Sequence, residues 1–393
     1  MVGCMSPTGS PWKPLVAGLS CALLVLLWQF LTVRYNYNGE WSGLFYTGER
    51  QKLAPVVEAE HPFLLPDSYG WDGQFYHAIA HDPLLLRDTA PYIDSARLRY
   101  RRILIPALAA LLAAGNDTLV DGAYHGLIIL FIALGAWWLA RIAQKAGSPA
   151  ILGTAFIFLP ASIVSIDRQA VDVGLLCFCC GFALYTRYPG NPRALYAVLV
   201  LAALVRDTGF LLAAAYCVWL LLRRDFRKCA VFATTGLPGV AWYVFVNSRT
   251  DPYSFDASPL ALPFSGVFDR LTHPMTYFGG SFKVGLIQGT DFLAAAGALL
   301  ALLLAFRFVR RRRPDPVDLA IVLFALLGIV VWHRGDWLEA LDYARILSPL
   351  LLFEALVCLE GAGWLNLAPL CMTLPRFGIE MGAQLAGIAR GLL

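Results

Sequence analysis

Blocks of apolar residues recur along this chain, and short clusters of Arg, Lys and Asp break them apart. The blocks fall at 15–33, 123–140, 149–166, 171–185, 194–205, 210–222, 230–247, 292–306, 319–332 and 346–359. Several approach the ~20 residues that an α-helix needs to cross a bilayer. The pattern predicts an all-α, polytopic membrane helix bundle. A long polar and aromatic stretch, 34–122, separates the first block from the second. Pro55, Pro62, Pro66 and Pro83 punctuate it and exclude one continuous helix. Within it, 73–80 predicts a short surface helix with Phe75, Tyr76 and Ile79 on its apolar side. Residues 103–114 are apolar but too short to span comfortably, which is the pattern of a juxtamembrane or re-entrant helix.

Charge sets the orientation. The block 15–33 is too long for a signal-peptide core and no small-residue cleavage site follows it, so it is expected to be a retained first helix with a cytoplasmic N-terminus. The clusters Arg141/Lys145, Arg187/Arg193, Arg223/Arg224/Arg227/Lys228 and Arg310 to Arg313 then all face the cytoplasm, as the positive-inside rule asks. That assignment requires 103–114 not to cross fully and the blocks around Arg206 to form a hairpin of short helices. About ten spans result, in a single integral membrane unit over 1–393, with the loops 34–122 and 248–290 both on the outer face. The tail 375–393 carries Phe377, Met381, Leu385, Ile388 and Leu392 at helical spacing, opposed by Arg376, Glu380 and Arg390, and predicts an interfacial amphipathic helix. A further span over 359–374 would be interrupted at Pro369.

Composition agrees with this picture. The chain is 58% hydrophobic and only 15% charged, well below the roughly 25% charge of soluble domains, and its mean hydropathy is +0.62. The net charge of +4 is small and forms no basic stripe, so no nucleic-acid partner is expected, and the implied surroundings are membrane lipids. Nine cysteines show no disulfide framework. Cys177-Phe178-Cys179-Cys180 has the look of a metal cluster, but no polar groups flank it, and small polarizable side chains packing in a bundle explain it better.

Four polar constellations face the outer side in this topology. The first is Asp72 with Gln74, His77, His81 and Asp82, set among Trp71, Phe75 and Tyr76. The second is Asp167-Arg168 with Asp172, the third Arg206-Asp207, and the fourth Asp336, Asp342 and Arg345. Charges at membrane depth are costly and point to function unless they pair with one another at helix ends. His77 and His81, four apart, share a helix face and could bind a metal, but the Glu of a zincin motif is missing between them. Two interfacial histidines are the plainer reading, and no protein metal ligand is assigned. Arg99, Arg101 and Arg102 on the outer face depart from the orientation rule. A lipid phosphate would account for them through the guanidinium fork, as would neutralisation by Asp82, Asp88 and Asp94.

Several of these segments, taken in order, resemble the GT-C superfamily of membrane glycosyltransferases. Trp71-Asp72-Gly73 followed by Phe75-Tyr76 and Ile79-Ala80 is similar to the first-loop motif of the GPI mannosyltransferases and related bacterial enzymes of cell-surface glycopolymer formation. Tyr100-Arg101-Arg102-Ile103 up to Pro106 resembles the juxtamembrane segment that follows, and Arg206-Asp207-Thr208-Gly209 the turn between short helices. Tyr343-Ala344-Arg345 up to Pro349 resembles the start of a late helix. The resemblance departs where many members have two adjoining acids in the first loop, since Gly73 follows Asp72 here.

The resemblance implies inverting sugar transfer from a polyprenyl-phosphate donor to a glycan or lipid acceptor, on the outer face of a bacterial cytoplasmic membrane. Asp72 would take the acceptor proton. Arg101, Arg102, Arg206 or Arg345 would hold the phosphate, with Trp71, Gln74, Tyr76, His77, Asp167, Arg168 and Asp207 around the substrates. Use of a divalent cation stays open. The rival expectations are a transporter or flippase of lipid-linked sugars, and a non-enzymatic subunit of a cell-wall assembly.

Overall fold

The computed structural model describes residues 10–188, 190–251, 262–277, 279–311, 313–330, 337, 339–359, 361 and 363–393. Asp336, residues 252–261 in the second long loop, and Arg312 lie outside them. Among the described residues every regular element is helical, and the one extended pairing is an isolated bridge between Gly48 and Leu65. Four helical stretches are long and apolar enough to cross a membrane. They are α1 (Trp12–Asn36), α6 (Asp117–Lys145), the run Phe226–Arg249 and α14 (Ser281–Val309). The run Phe226–Arg249 comprises α11 (Phe226–Ala233), a 3₁₀ turn and α12 (Leu237–Arg249). This is a membrane protein.

Local sequence explains where these helices start and stop. α6 has no internal proline, and Asn116 caps it by accepting from the Thr118 N–H at 3.1 Å. α1 buries Ala17, Cys21, Val25 and Gln29, yet leaves Leu15, Leu19, Leu23 and Leu27 exposed. A helix apolar on both its packed and its outward face suits a lipid surround. The centre of the bundle is α8 (Asp172–Arg187), buried along its whole length from Asp172 to Leu184, including Cys177, Cys179 and Cys180.

Three expectations meet a different geometry. The block 149–166 is a bent pair, a 3₁₀ stretch Ala150–Phe158 and α7 (Pro160–Arg168), 62° apart. Pro160 supplies the restart, because proline suits the first turn of a helix. If the pair is one span, the candidates number five. The segment 375–393 is the continuation of a 25-residue helix, α18 (Ala368–Leu392), which runs through Pro375 and packs on α1 and α14. Arg376 and Glu380 on its polar side pair with Asp291 and Arg168 of the protein, whereas Arg390 stays exposed.

The third difference concerns the segment expected at the surface. α3 (Asp72–His81) is helical, but every residue from Gly73 to His81 is buried. The turn Trp41–Phe45, α5 (Leu104–Leu112) and the first turns of α6 enclose it. α2 (Pro55–Glu58) and α4 (Ala96–Arg101) complete this cap. α5, nine residues long, is too short to cross. The remaining helices are α9 (Pro192–Val205), α10 (Phe210–Leu222), α13 (Ser265–Thr272), α15 (Pro316–Val330), α16 (Ala340–Ile346) and α17 (Ser348–Leu359).

Candidate functional site

Asp72 is the first residue of α3, where unpaired N–H groups and the helix dipole favour a carboxylate. Its position is fixed from beneath. A Cβ on Gly73 would sit 2.2 Å from the Arg168 carbonyl oxygen and 2.7 Å from that of Phe45, so only glycine lets α3 start this close to α7. Gln74 clamps the preceding loop. Its Oε1 accepts from the Gly48 N–H at 3.1 Å, and its Nε2 donates to the Tyr69 carbonyl at 2.8 Å.

Two arginines hold the Asp72 carboxylate, one on each oxygen. Arg345 Nη1, from α16, donates to Oδ2 at 2.6 Å. Arg99 Nη1, from α4, lies 3.0 Å from Oδ1. Each arginine is itself anchored. Arg99 donates Nε and Nη2 to Asp94 at 2.6 and 2.8 Å and lies over the Phe75 ring at 4.5 Å. Arg345 reaches Asp342 at 3.2 Å and Asp172 at 3.7 Å. Burial alone would raise the Asp72 pKa, but Arg345, Arg99 and Arg102 outweigh it and hold the carboxyl well below the usual range. The side chain keeps 18% of its surface open, which leaves it reachable by a substrate.

The network continues into the bundle. Asp172 pairs with Arg206, the residue that ends α9. Arg206 is followed by a tight turn into α10, and a Cβ on Gly209 would fall 2.0 Å from the Ala202 carbonyl oxygen. Arg102 donates to the Tyr76 hydroxyl at 3.1 Å and lies 3.5 Å from Asp207. Trp71 has two guanidiniums against its ring, Arg345 at 4.8 Å and Arg168 at 4.5 Å from the centroid. Arg168 pairs with Asp167 and with Glu380 of α18, and Glu380 also accepts from Arg376 at 3.0 Å.

Of the residues singled out in the sequence, Trp71, Asp72, Tyr76, Arg102, Asp167, Arg168, Arg206, Asp207 and Arg345 thus join one chain of contacts. Three do not take part in its charge pairing. Gln74 is a clamp at its edge. Arg101 turns to α12, donating to Asn247 Oδ1 at 3.0 Å. His77 belongs to another cluster, with Glu60 and Asp121. Arg99 and Asp172 enter as partners of the central pair. Arg99 had a signal in its spacing, since it lies three residues from Arg102 and shares its face, whereas Arg101 falls on another.

Two spaces lie near the site. A cleft of about 320 Å³ opens over Asp72, lined by Tyr69, Trp71, Phe75, Arg99, Asp94 and Asp342 among others. Its size falls in the range of small-molecule sites, and its mix of aromatic faces and acids suits a polyhydroxylated group. An apolar groove of about 480 Å³ runs between α1, α7 and α18, lined by Leu24, Trp28, Ile163, Ile166, Met381 and Leu385 among others. The groove is lined by the same helices, α7 and α18, that carry Arg168 and Glu380.

No family model, curated protein or solved structure matches this chain. The chemistry therefore rests on the site itself. It offers an ionised carboxylate open to a cleft, several arginines whose forks suit a phosphate, and an apolar groove between α1, α7 and α18.

Proposed function

We propose that this protein is a GT-C-type glycosyltransferase of about ten spans. It would move a sugar from a polyprenyl-phosphate carrier to a glycan or lipid acceptor on the outer face of a bacterial cytoplasmic membrane. The observation that carries this reading is the Asp72 carboxylate gripped by Arg345 and Arg99 at the floor of a polar cleft. In support of the layout, the four long helices and the bent pair are joined by shorter apolar helices, Pro192–Val205, Asp207–Leu222, Pro316–Val330 and Ser348–Leu359. The prenyl tail would lie in the groove between α1, α7 and α18.

A carboxylate held by two arginines is a weak base, because its proton affinity is depressed. The arriving phosphate resolves this. In the proposed cycle Arg345 and Arg99 transfer from Asp72 to the donor phosphate, and the freed carboxylate regains basicity as the acceptor hydroxyl reaches it. The acceptor oxygen bonds to the anomeric carbon, its proton passes to Asp72, and the bond from that carbon to the phosphate oxygen breaks. Polyprenyl phosphate leaves with the electron pair, stabilised by the arginines.

The test is transfer in vitro from a panel of polyprenyl-phosphate sugars by protein in detergent or vesicles, with and without chelator. Transfer by the intact protein and its loss in Asp72→Asn would support the reading. The bent pair Ala150–Phe158/Pro160–Arg168 and the break at Arg206 are features that a transporter of lipid-linked sugars would share. Movement of the lipid-linked sugar across vesicles without transfer to any acceptor would favour that reading instead.

A further inference from the structure

The other end of α3 carries a second cluster that the sugar-transfer reading leaves unused. His77 and His81, one turn apart, meet Glu60 from the turn after α2 and Asp121 from the first turns of α6. One ligand-type atom from each of the four lies within 4.8 Å of all the others. His77 Nε2 is 3.2 Å from Glu60 Oε2 and 2.7 Å from Asp121 Oδ1. His81 Nε2 is 3.4 Å from Glu60 Oε1 and 3.9 Å from Asp121 Oδ1. A tetrahedron with metal bonds of ~2.0–2.1 Å has edges of about 3.3 Å, and these nitrogen-to-oxygen separations, which engage both Glu60 oxygens, run from 2.7 to 3.9 Å around that value.

The hydrogen bonding of the cluster points the same way. The side chains of His77 and His81 are fully buried. Yet His77 Nε2, His81 Nε2, Glu60 Oε2 and Asp121 Oδ1 make no hydrogen bond of acceptable geometry among the described residues. Four buried polar atoms thus converge on one point at ion-pair distance but without aligned hydrogen bonds, an arrangement that a further partner would satisfy. The rings are also held from behind. His81 Nδ1 lies 3.2 Å from Asp117, whose carboxylate takes Arg87 Nη1 at 2.7 and 2.9 Å. The His77 ring is stacked on Phe45 at 4.0 Å, with the planes 3° apart. A carboxylate on the remote nitrogen is how metal-binding histidines are oriented.

We infer that Glu60, His77, His81 and Asp121 form a structural Zn²⁺ site that ties the first outer loop to α6. Two imidazoles favour zinc over Ca²⁺ or Mg²⁺, which take oxygen ligands. Four protein ligands close the coordination sphere and leave no position for a reacting water, so the role is structural. The ion would link three segments that are far apart in sequence and fix the axis of α3, whose opposite end presents Asp72. The site is independent of whatever substrate the cleft accepts.

The experiment is metal analysis of the full-length protein in detergent, reloaded with Zn²⁺ and dialysed into metal-free buffer. The expected result is ~1 Zn²⁺ per chain, a fall in Tm on stripping with a strong chelator, and recovery with Zn²⁺ but not Mg²⁺. Asp121→Asn and His81→Asn should each lower zinc affinity by ~10-fold or more. Should either variant fail to fold, Co²⁺ substitution of the wild-type protein decides. The visible absorption of tetrahedral Co²⁺ supports the site. A spectrum of hydrated Co²⁺ only, a zinc content below ~0.1 per chain and a chelator-insensitive Tm overturn it, leaving the histidines as ion-paired groups of the core. Since metal content and Tm are read without a substrate, failure here is distinct from failure of the transferase reading.

Discussion

The two ends of α3 hold charge in opposite ways. At its start Asp72 is an anion met by cations, and one of them, Arg345, comes from 273 residues away. At its end His77 and His81 are met by carboxylates of the same cap and of the helix it rests on. The Asp72 side chain stays partly open to a cleft, whereas both histidine side chains are closed off entirely. The contrast separates two jobs. Fully buried imidazoles can stabilise a fold but cannot meet a substrate. An open carboxylate held by arginines gains little as a structural pair, because its partners already have Asp94 and Asp342, yet it is well placed to exchange those partners for a phosphate.

The largest effect expected is on catalysis at the open end. Asp72→Asn should reduce sugar transfer by at least ~10²-fold, at the low end of what loss of a general base removes, with the protein correctly inserted. Full activity in that variant would assign the open cluster a structural role and erase the contrast. Arg345→Ala should come next. Losing a charge-assisted contact to the donor phosphate costs about 1.5–3 kcal/mol, read as a donor KM raised by about 10–150-fold. Arg101→Ala, whose side chain faces Asn247, should change donor KM by less than about 3-fold. Equal effects from both would move the phosphate site away from Arg345.

A change between the two ends should disturb both. Gly73→Ala places a methyl 2.2 Å from the Arg168 carbonyl oxygen, a backbone atom that cannot swing aside. Destabilisation of about 1–3 kcal/mol is expected, typical of overpacking, seen as a lower Tm together with reduced transfer. An unchanged Tm would mean that α3 can lift off α7 without cost.

The smallest effect concerns pH. The Asp72 carboxyl titrates lower in the folded protein than in the unfolded chain, so the unfolded state binds the extra proton. Its contribution to stability is complete above the unfolded pKa of about 3.9 and is lost as pH falls through the folded value. The Tm difference between wild type and Asp72→Asn should therefore be flat from about pH 5 to 8 and shrink only below about pH 4. A difference that changed across neutral pH would mean that the arginines do not hold the carboxylate.

Much of this arrangement could be read from the sequence, and the failures have physical causes. Apolar blocks gave the helices, because in lipid the backbone must satisfy itself and helices are the simplest way to do so. The i, i+4 spacing of His77 and His81 put both rings on one face. It gave no hint of Glu60 and Asp121, which reach them only through packing of the loop on α6. The burial of α3 was hidden for the same reason, since an apolar face does not say whether lipid or protein covers it. Pro375 was expected to mark a boundary, but α18 passes through it, supported by its packing on α1 and α14.

The sequence by itself determined that this is a helical membrane protein with a long polar loop carrying Asp72, and that Arg101, Arg102, Arg206 and Arg345 stand at the ends of apolar segments. Hydrophobic length and helical period are local quantities, and a single chain displays them directly. The tertiary structure alone decided the pairings. It set Arg345 rather than Arg101 against Asp72, turned Arg168 to Glu380 across the bundle, and brought four ligand-type side chains from three segments to one point. Charge pairing acts over a few ångströms between residues that the chain separates by tens or hundreds of positions, and only the packed bundle fixes which of them meet.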